Sequence, residues 1–295
     1  MSIHRAGTAA LIGRPNVGKS TLVNALVGTK VAIVTPKPQT TRTRIVGIRT
    51  EPEAQVVFLD TPGIHAARSS LNRRMVEIAR STIEEADAVV LVLDAGAGIG
   101  AGERELIATL RAGRTPVVVA LNKIDTRPRQ VLLPIMAELN QLLPGVEVVP
   151  TAARRNDGVD RLLAAVARVL PEGPPLYPAD EFTTESERFL TAELVREQVF
   201  LATKEEVPYG TAVVIDQFVE REDRRAILVS ATILVEREAH KPILLGAKGE
   251  RLKRIGEQAR AEIERLLGTK VFLELFVRVE PGWQRSRHRL GELGL

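Results

Sequence analysis

Short apolar runs alternate with longer amphipathic stretches over the first 170 residues of the chain. The apolar runs are rich in β-branched residues and are bounded by glycine, proline or charged residues, which favours buried strands. We predict strands over 9–12, 56–60, 88–94, 116–122 and 146–150. Helical spacing predicts helices over 21–27, 71–85, 103–110, 130–142 and 160–170. This alternation indicates an α/β fold with a doubly wound, mostly parallel sheet, whose ligands bind beyond the carboxyl ends of the strands.

A proline-rich stretch interrupts this pattern at 171–178, with four prolines in eight residues. Such a segment is extended and semi-rigid, and it cannot continue a helix. We therefore predict a first domain over 1–172, a linker over 173–184 and a second domain over 185–295.

The second half of the chain has a different order of elements. We predict a helix over 185–201, strands over 211–219 and 226–235, helices over 240–245 and 250–267, and a strand over 270–279. In the last strand every second residue is apolar, which predicts one buried face. The order αββααβ indicates an α+β domain.

Composition and charge limit the number of domains and the kinds of site that the chain can have. The chain has 295 residues, enough for about two domains, and no cysteine, which excludes a disulfide framework and a cysteine zinc site. The most apolar run, 88–93, is far too short to cross a membrane, so we expect a soluble protein, and the absence of cysteine is compatible with the cytoplasmic location that we expect. Residues 181–295 hold 19 basic against 20 acidic residues, so a nucleic-acid surface there must be a local patch.

Residues 13–20, GRPNVGKS, have the spacing of a phosphate loop between a predicted strand and a predicted helix. The backbone N–H groups of such a loop surround a β-phosphate, and the start of the helix adds its positive dipole. Lys19 is expected to reach the β- and γ-phosphate oxygens, and Ser20 to offer its hydroxyl to Mg²⁺. The loop predicts nucleoside phosphate binding without identifying the base.

Two further motifs follow predicted strands. The first is DTPG, which begins at Asp60. The Asp60 carboxylate is suited to hold Mg²⁺ through water, and the Gly63 N–H is suited to donate to a γ-phosphate. Without the phosphate loop, a simple Pro-Gly turn would be a serious alternative.

The second motif is NKID, which contains Asn122, Lys123 and Asp125. A carboxylate accepts from the ring N–H and the exocyclic amine of guanine, a donor pair that adenine lacks, so Asp125 predicts guanine.

In the second half, residues 246–249, GAKG, join two predicted helices. Two glycines three apart let an RNA backbone approach a helix start, although a helix-ending glycine followed by a turn is the commoner explanation of such a pair. The stretch 241–254 carries five basic residues against one acidic residue, which forms the local patch that the charge balance requires. The RNA-binding candidates are Lys241, Gly246, Ala247, Lys248, Gly249, Arg251, Lys253 and Arg254.

The order GRPNVGKS, DTPG, NKID, followed by the αββααβ half with GAKG, resembles the Era family of ribosome-assembly GTPases, a P-loop GTPase domain followed by a type II KH domain. The resemblance implies that Thr41, with Thr40 as second choice, joins Ser20 and Asp60 at Mg²⁺ when GTP is bound. A final guanine-contacting motif would fall at Ala152 and Ala153, where Ala152 replaces the usual serine. The implied GTP/GDP site comprises Gly13, Asn16, Val17, Gly18, Lys19, Ser20, Thr21, Asp60, Gly63, Asn122, Lys123, Asp125, Ala152 and Ala153.

We expect slow hydrolysis. Ile64 follows DTPG where many GTPases carry a glutamine that orients the attacking water, and isoleucine cannot do this. The catalytic candidates are Lys19, Thr41 and Gly63. Asn16 resembles the asparagine that helps hold K⁺ in some relatives, so K⁺ joins Mg²⁺ among the expected cofactors.

The resemblance also implies partners. They are the 3′ end of 16S ribosomal RNA and the 30S ribosomal subunit, with a peripheral association with the inner membrane and a monomeric state. The residues themselves support a switch that clamps about four nucleotides of single-stranded RNA. Two alternatives stay open: a phosphotransferase with a small-molecule acceptor, and a GTPase scaffold that acts through protein or membrane contacts without RNA.

Overall fold

The computed structural model describes residues 4–64, 70–220 and 226–295, which divide into two compact units. Within those residues, the first unit holds 4–32, 41–64 and 72–184, and the second holds 33–40, 70–71 and the rest from Glu185. Residues 173–184 therefore belong to the first unit, where Gln55 Oε1 accepts hydrogen bonds from the Leu176 and Tyr177 amides. The predicted domain boundaries stay a prediction.

The first unit is built on a six-stranded sheet with the order β2-β3-β1-β4-β5-β6, in which only β2 is antiparallel to its neighbour. Its strands are β1 (Arg5–Ile12), β2 (Ile45–Glu51), β3 (Ala54–Asp60), β4 (Ala88–Asp94), β5 (Val117–Asn122) and β6 (Glu147–Pro150). Its helices are α1 (Lys19–Val27), α2 (Ser70–Glu85), α3 (Ala101–Ala112), α4 (Leu132–Leu142) and α5 (Val159–Val169). The doubly wound, mostly parallel sheet is confirmed, whereas β2 was not predicted because Gly47 and Arg49 break its apolar run.

Alternate residues of β1 face two cores on opposite sides of the sheet. Ala9 and Leu11 pack in the cluster that contains α1 and α5, and Ala10 and Ile12 pack in the cluster that contains α3 and α4. Because β1 is buried on both faces, its carboxyl end and the loop that follows it are held firmly in place.

The second unit has a three-stranded sheet with the order β7-β8-β9, where β7 and β8 are antiparallel and β8 and β9 are parallel. Its elements are α6 (Glu187–Ala202), β7 (Thr211–Glu220), β8 (Ala226–Val235), α7 (His240–Leu245), α8 (Glu250–Leu267), β9 (Lys270–Val279) and α9 (Arg287–Glu292). The predicted order αββααβ is confirmed, with α9 added. Buried residues of α6, α8 and β8 form its core. None of the helices in the described part of the chain combines the length and apolar composition that a membrane crossing requires.

Candidate functional site

The phosphate loop lies between the end of β1 and the start of α1. Both of its glycines have positive φ, with values of +151° at Gly13 and +100° at Gly18. A Cβ at Gly13 would lie 2.4 Å from the Val92 carbonyl oxygen, and one at Gly18 would lie 2.4 Å from Asn122 Nδ2. Neither position tolerates a side chain, so the loop keeps its backbone N–H groups free of steric cover.

Lys19 begins α1 and is buried beneath this loop. Its Nζ donates hydrogen bonds to the carbonyl oxygens of Gly13, at 3.1 Å, and Arg14, at 3.2 Å. Burial lowers the pKa of Lys19 to about 8, and the charge of Asp60 opposes that shift. A phosphate group would supply the anionic partner that these neutral carbonyls do not.

Three side-chain oxygens meet at the carboxyl end of β3. Asp60 Oδ2 accepts from Ser20 Oγ at 2.6 Å and from Thr41 Oγ1 at 3.1 Å, and the two hydroxyl oxygens are 2.8 Å apart. Burial raises the pKa of Asp60, while Lys19 and the two hydroxyl groups lower it. Thr40 is directed elsewhere, because its hydroxyl is bonded to Thr35 and to the Lys37 carbonyl. Thr41, the first choice, is therefore the threonine in this oxygen cluster.

This oxygen cluster fits Mg²⁺. Asp60 Oδ1 is buried, and within the described ranges it has no hydrogen-bond partner. A carboxylate oxygen left in that state is costly unless a cation or a water bound to one satisfies it. Carboxylate and hydroxyl oxygens are the donor type that Mg²⁺ prefers. Ser20, Thr41 and Asp60, all predicted metal-site residues, are thus brought together.

Asn122 connects the predicted base site to the phosphate loop. Its Nδ2 donates to the Val17 carbonyl at 2.9 Å, while its Oδ1 accepts from the Ala153 amide at 3.2 Å and from Thr151 Oγ1 at 3.3 Å. The Ala152 amide bonds to the Asp157 carbonyl. Ala153 and Ala152 therefore stand beside Asn122, but their amides already have partners within the protein.

Residues next to Asn122 surround the predicted base site. Two of them, Asp94 and Arg155, were missed by sequence reasoning. Lys123 Nζ donates to the Asn16 carbonyl and to Asp94 Oδ2 at 2.7 Å, so its side chain reaches across to the phosphate loop. Arg155 Nε lies 3.4 Å from Asp125 Oδ2. The position of Asp94 at the end of β4 was the available signal for its role, whereas nothing in the sequence singled out Arg155.

The DTPG turn lies against the phosphate loop. The Ile64 amide donates to the Gly13 carbonyl at 3.2 Å. A Cβ at Gly63 would come within 2.7 Å of Pro15 N, so the absence of a side chain permits this approach. Gly63, a predicted γ-phosphate contact, is therefore close to the residues that would hold the phosphates.

In the second unit, residues 246–249 join α7 to α8. Gly249 has φ of +82°, and no atom lies within 4 Å of a Cβ built on it, so its surface is open. Lys241, Lys248 and the α8 residues Lys253 and Arg254 are exposed. Arg251 differs from them, because its guanidinium donates to the Ile243 carbonyl, which ties it to the end of α7.

A groove begins at Gly249 and runs between α8 and β9. Its apolar lining comes from Leu252, Gly256, Leu273 and Leu275, and its edge carries Lys253, Glu257 and Arg260. Sequence reasoning missed the lining. The signal was present in the spacing of 249, 252, 256 and 260 along one face of α8 and in the alternation of β9.

Two family models match the chain. A model described as 50S ribosome-binding GTPase matches residues 8–123, and a KH domain model matches residues 206–284. Together with the phosphate loop and the glycine loop, they define the class: a phosphate-loop GTPase followed by a KH domain.

Proteins that are similar to this chain over nearly its whole length identify the family within this class. The GTPase Era of Geobacter metallireducens is 50% identical over 290 residues, covering 98% of this chain and 97% of the relative, and that of Halothermothrix orenii is 43% identical. A crystal structure of Era with MgGDPNP and nucleotides 1506–1542 of 16S ribosomal RNA has a TM-score of 0.95 at 42% identity and covers 99% of both chains. A crystal structure of a singly substituted variant of Aquifex aeolicus Era bound to GDP·AlF4⁻ has a TM-score of 0.94 at 41% identity, covering 98% of this chain and 99% of that one. The chain belongs to the GTPase Era family.

The central position of Asn122 generates a prediction. Asn122→Ala removes the acceptor of the Ala153 amide, so we expect faster hydrogen exchange at Ala153 and a loss of about 1–3 kcal/mol in the free energy of unfolding. Asn122→Asp keeps the acceptor and should keep Ala153 protected. Asn140→Ala, on an exposed position of α4, is the control. Equal exchange and stability in Asn122→Ala and Asn140→Ala would contradict the assignment.

Proposed function

We propose that the chain is a GTP-binding, slowly GTP-hydrolysing switch that binds the 3′ end of 16S ribosomal RNA and assists assembly of the 30S subunit. One observation carries the proposal: a single chain holds both a phosphate loop beside the buried Asp60 oxygen cluster and a glycine loop that opens onto an apolar groove. The first arrangement suits a nucleoside triphosphate with its metal, and the second suits unpaired nucleotides.

In the nucleotide site, the 13–18 backbone surrounds the β-phosphate and Lys19 supplies positive charge. Ser20, Thr41 and Asp60 would hold Mg²⁺, directly or through water, and the bound ion would supply positive charge to the phosphates. The relatives crystallised with MgGDPNP and with GDP·AlF4⁻ support this use of the site.

Hydrolysis is slow because Ile64 offers no group to orient the attacking water. Three residues act on the triphosphate. Lys19 supplies positive charge, Thr41 would hold the metal ion, and Gly63 donates its backbone N–H to the γ-phosphate. Potassium binding through Asn16 remains part of this proposal. The Asn16 carbonyl accepts a hydrogen bond from Lys123 Nζ, and the Asn16 side-chain oxygen is the ligand that we assign to such an ion.

In the second unit, the 246–249 loop receives a phosphate backbone and the groove receives bases. The open surface at Gly249 lets the backbone approach closely, and Lys248, Lys253 and Arg254 supply positive charge. The relative crystallised with nucleotides 1506–1542 of 16S ribosomal RNA supports this assignment. A peripheral association with the inner membrane rests on the family resemblance alone, and flotation with anionic vesicles tests it.

The base preference is tested with Asp125→Asn. The amide replaces one acceptor by a donor, so the variant loses its pairing with the N–H and amine of guanine and gains a donor for the C2 carbonyl of xanthine. We expect GTP affinity to fall by at least about 100-fold, and xanthosine triphosphate to bind better than GTP. Asp160→Asn, an exposed substitution in α5, should bind GTP normally. Equal weakening for both nucleotides, measured by equilibrium titration, would contradict the assignment of Asp125.

The RNA site is tested with Gly249→Asp. The new carboxylate would stand where a phosphate approaches, so binding of a ten-nucleotide RNA of the ribosomal 3′-end sequence should weaken by at least about tenfold. Gly268→Asp is a matched control: Gly268 ends the same helix, has φ of +66° and also faces open space. Fluorescence anisotropy measures both. Failure of the wild-type protein to bind the RNA would favour a scaffold acting without RNA, and equal binding by both variants would place the site elsewhere.

A further inference from the structure

The carboxylate of Asp94 stands beside the predicted base site because of the register of the sheet. Strands β4 and β5 are parallel, and Asp94 pairs with Asn122 at their carboxyl ends. The Ala95 amide donates to the Asn122 carbonyl at 2.9 Å, so the two chains are still joined where they enter their loops. Asp94 therefore lies next to the residue that begins NKID.

Both oxygens of this carboxylate are bonded. Asp94 Oδ1 accepts from the Gly96 amide at 2.8 Å, which fixes the side chain against the turn that follows β4. Its Oδ2 accepts from Lys123 Nζ at 2.7 Å. The side chains of Asp94 and Lys123 are 21% and 34% exposed, so water screens this ion pair less than it screens a pair on the open surface.

Lys123 is held at both ends. Its backbone is left-handed, with φ of +64°, which is uncommon for a residue that has a side chain. Its Nζ donates to Asp94 and also to the Asn16 carbonyl in the phosphate loop. Between these ends, the Lys123 Cε atom lies 3.9 Å from where a Cβ at Gly18 would be. The apolar stem of Lys123 thus extends from the NKID turn to the phosphate loop.

A guanine nucleotide in this site would lie along that stem. Its phosphates would occupy the 13–18 loop, and its base would reach Asp125, two residues after Lys123. The methylene stem of a lysine can cover an apolar ring face while its charged end is bonded elsewhere. That arrangement needs a fixed partner for the charged end. Asn16 offers a neutral carbonyl, whereas Asp94 offers the opposite charge and so the stronger hydrogen bond.

We propose that Asp94 is a positioning residue for guanine nucleotide binding, which acts by holding the Lys123 stem against the ring of the base. The inference rests on the proposed GTP-binding function. Asp94 does not contact the edge of the base, which is the part that Asp125 is proposed to recognise. Losing Asp94 should therefore weaken GDP and GTP by the same factor and leave the preference for guanine over hypoxanthine unchanged.

The experiment measures, by equilibrium titration of the full chain, the dissociation constants of GDP, of inosine diphosphate and of a non-hydrolysable GTP analogue. Asp94→Ala should raise all three by about fivefold to twentyfold, the scale of one partly shielded charged hydrogen bond. Asp87→Ala is the matched control. Asp87 precedes the other end of β4, and its carboxylate also accepts two hydrogen bonds, from the amide and the hydroxyl of Thr8. This control should bind all three nucleotides within about twofold of the wild-type protein.

A double-mutant cycle with Lys123→Met separates positioning from a general effect on the fold. Methionine keeps most of the apolar stem but has no donor for Asp94. In that background Asp94→Ala should change the dissociation constants by less than about twofold, because the interaction that it removes is already lost. In the wild-type background, Asp94→Asn keeps an acceptor for the Gly96 amide but loses the charge that faces Lys123. It should therefore lose most of the affinity that Asp94→Ala loses.

Three results would overturn the inference. They are wild-type affinity in a folded Asp94→Ala protein, an equal loss of affinity in Asp87→Ala, and a full additional loss when Asp94→Ala is combined with Lys123→Met. If Asp94→Ala does not fold, Asp94→Asn is measured in both backgrounds and decides the question in the same way. A wild-type protein that binds no guanine nucleotide would instead contradict the proposed function.

Discussion

The buried carboxylate of Asp60 is the constraint on which the nucleotide site depends. It stands at the end of β3, where water cannot solvate it, so its oxygens must be satisfied by groups brought from elsewhere in the chain. Ser20 comes from the start of α1 and Thr41 from the stretch before β2, and Lys19 contributes opposing charge. The remaining oxygen has no described partner. The folded chain thus holds a set of oxygens that a divalent cation completes.

Much of the fold could be predicted because its signals are local. Buried strands are continuous apolar runs, and β4 and β8 were predicted at the observed bounds, as were α7, α8 and β9. The strand β2 could not be predicted, because Gly47 and Arg49 break its apolar run. A side chain at Gly47 would clash with Val27 of α1, so the need for glycine there comes from a tertiary contact. The contacts of the segment 33–40 carry no local signal either, because Val34 and Thr40 bond to Glu197 and Arg196, which lie more than 150 residues away in the sequence.

The candidate sites also contain parts that the sequence predicts and parts that it does not. The phosphate loop and the 246–249 loop are recognisable from their spaced glycines, because only glycine permits those backbone conformations and close approaches. Parts built by tertiary contact are not visible in this way. Asn122 is recognisable as part of NKID, but its bonds to Val17 and Ala153 are not, and Arg155 beside Asp125 carries no local signal. The groove lining at Leu273 and Leu275 becomes evident only when β9 lies beside α8.

A switch of the proposed kind requires that the bound nucleotide change the affinity of the chain for RNA. The most direct test is the affinity of the wild-type protein for a short single-stranded RNA of the ribosomal 3′-end sequence, with GDP and with a non-hydrolysable GTP analogue in the presence of Mg²⁺. The account predicts tighter binding with the GTP analogue. Equal affinity in the two states would contradict the coupling, even if both sites bind their ligands.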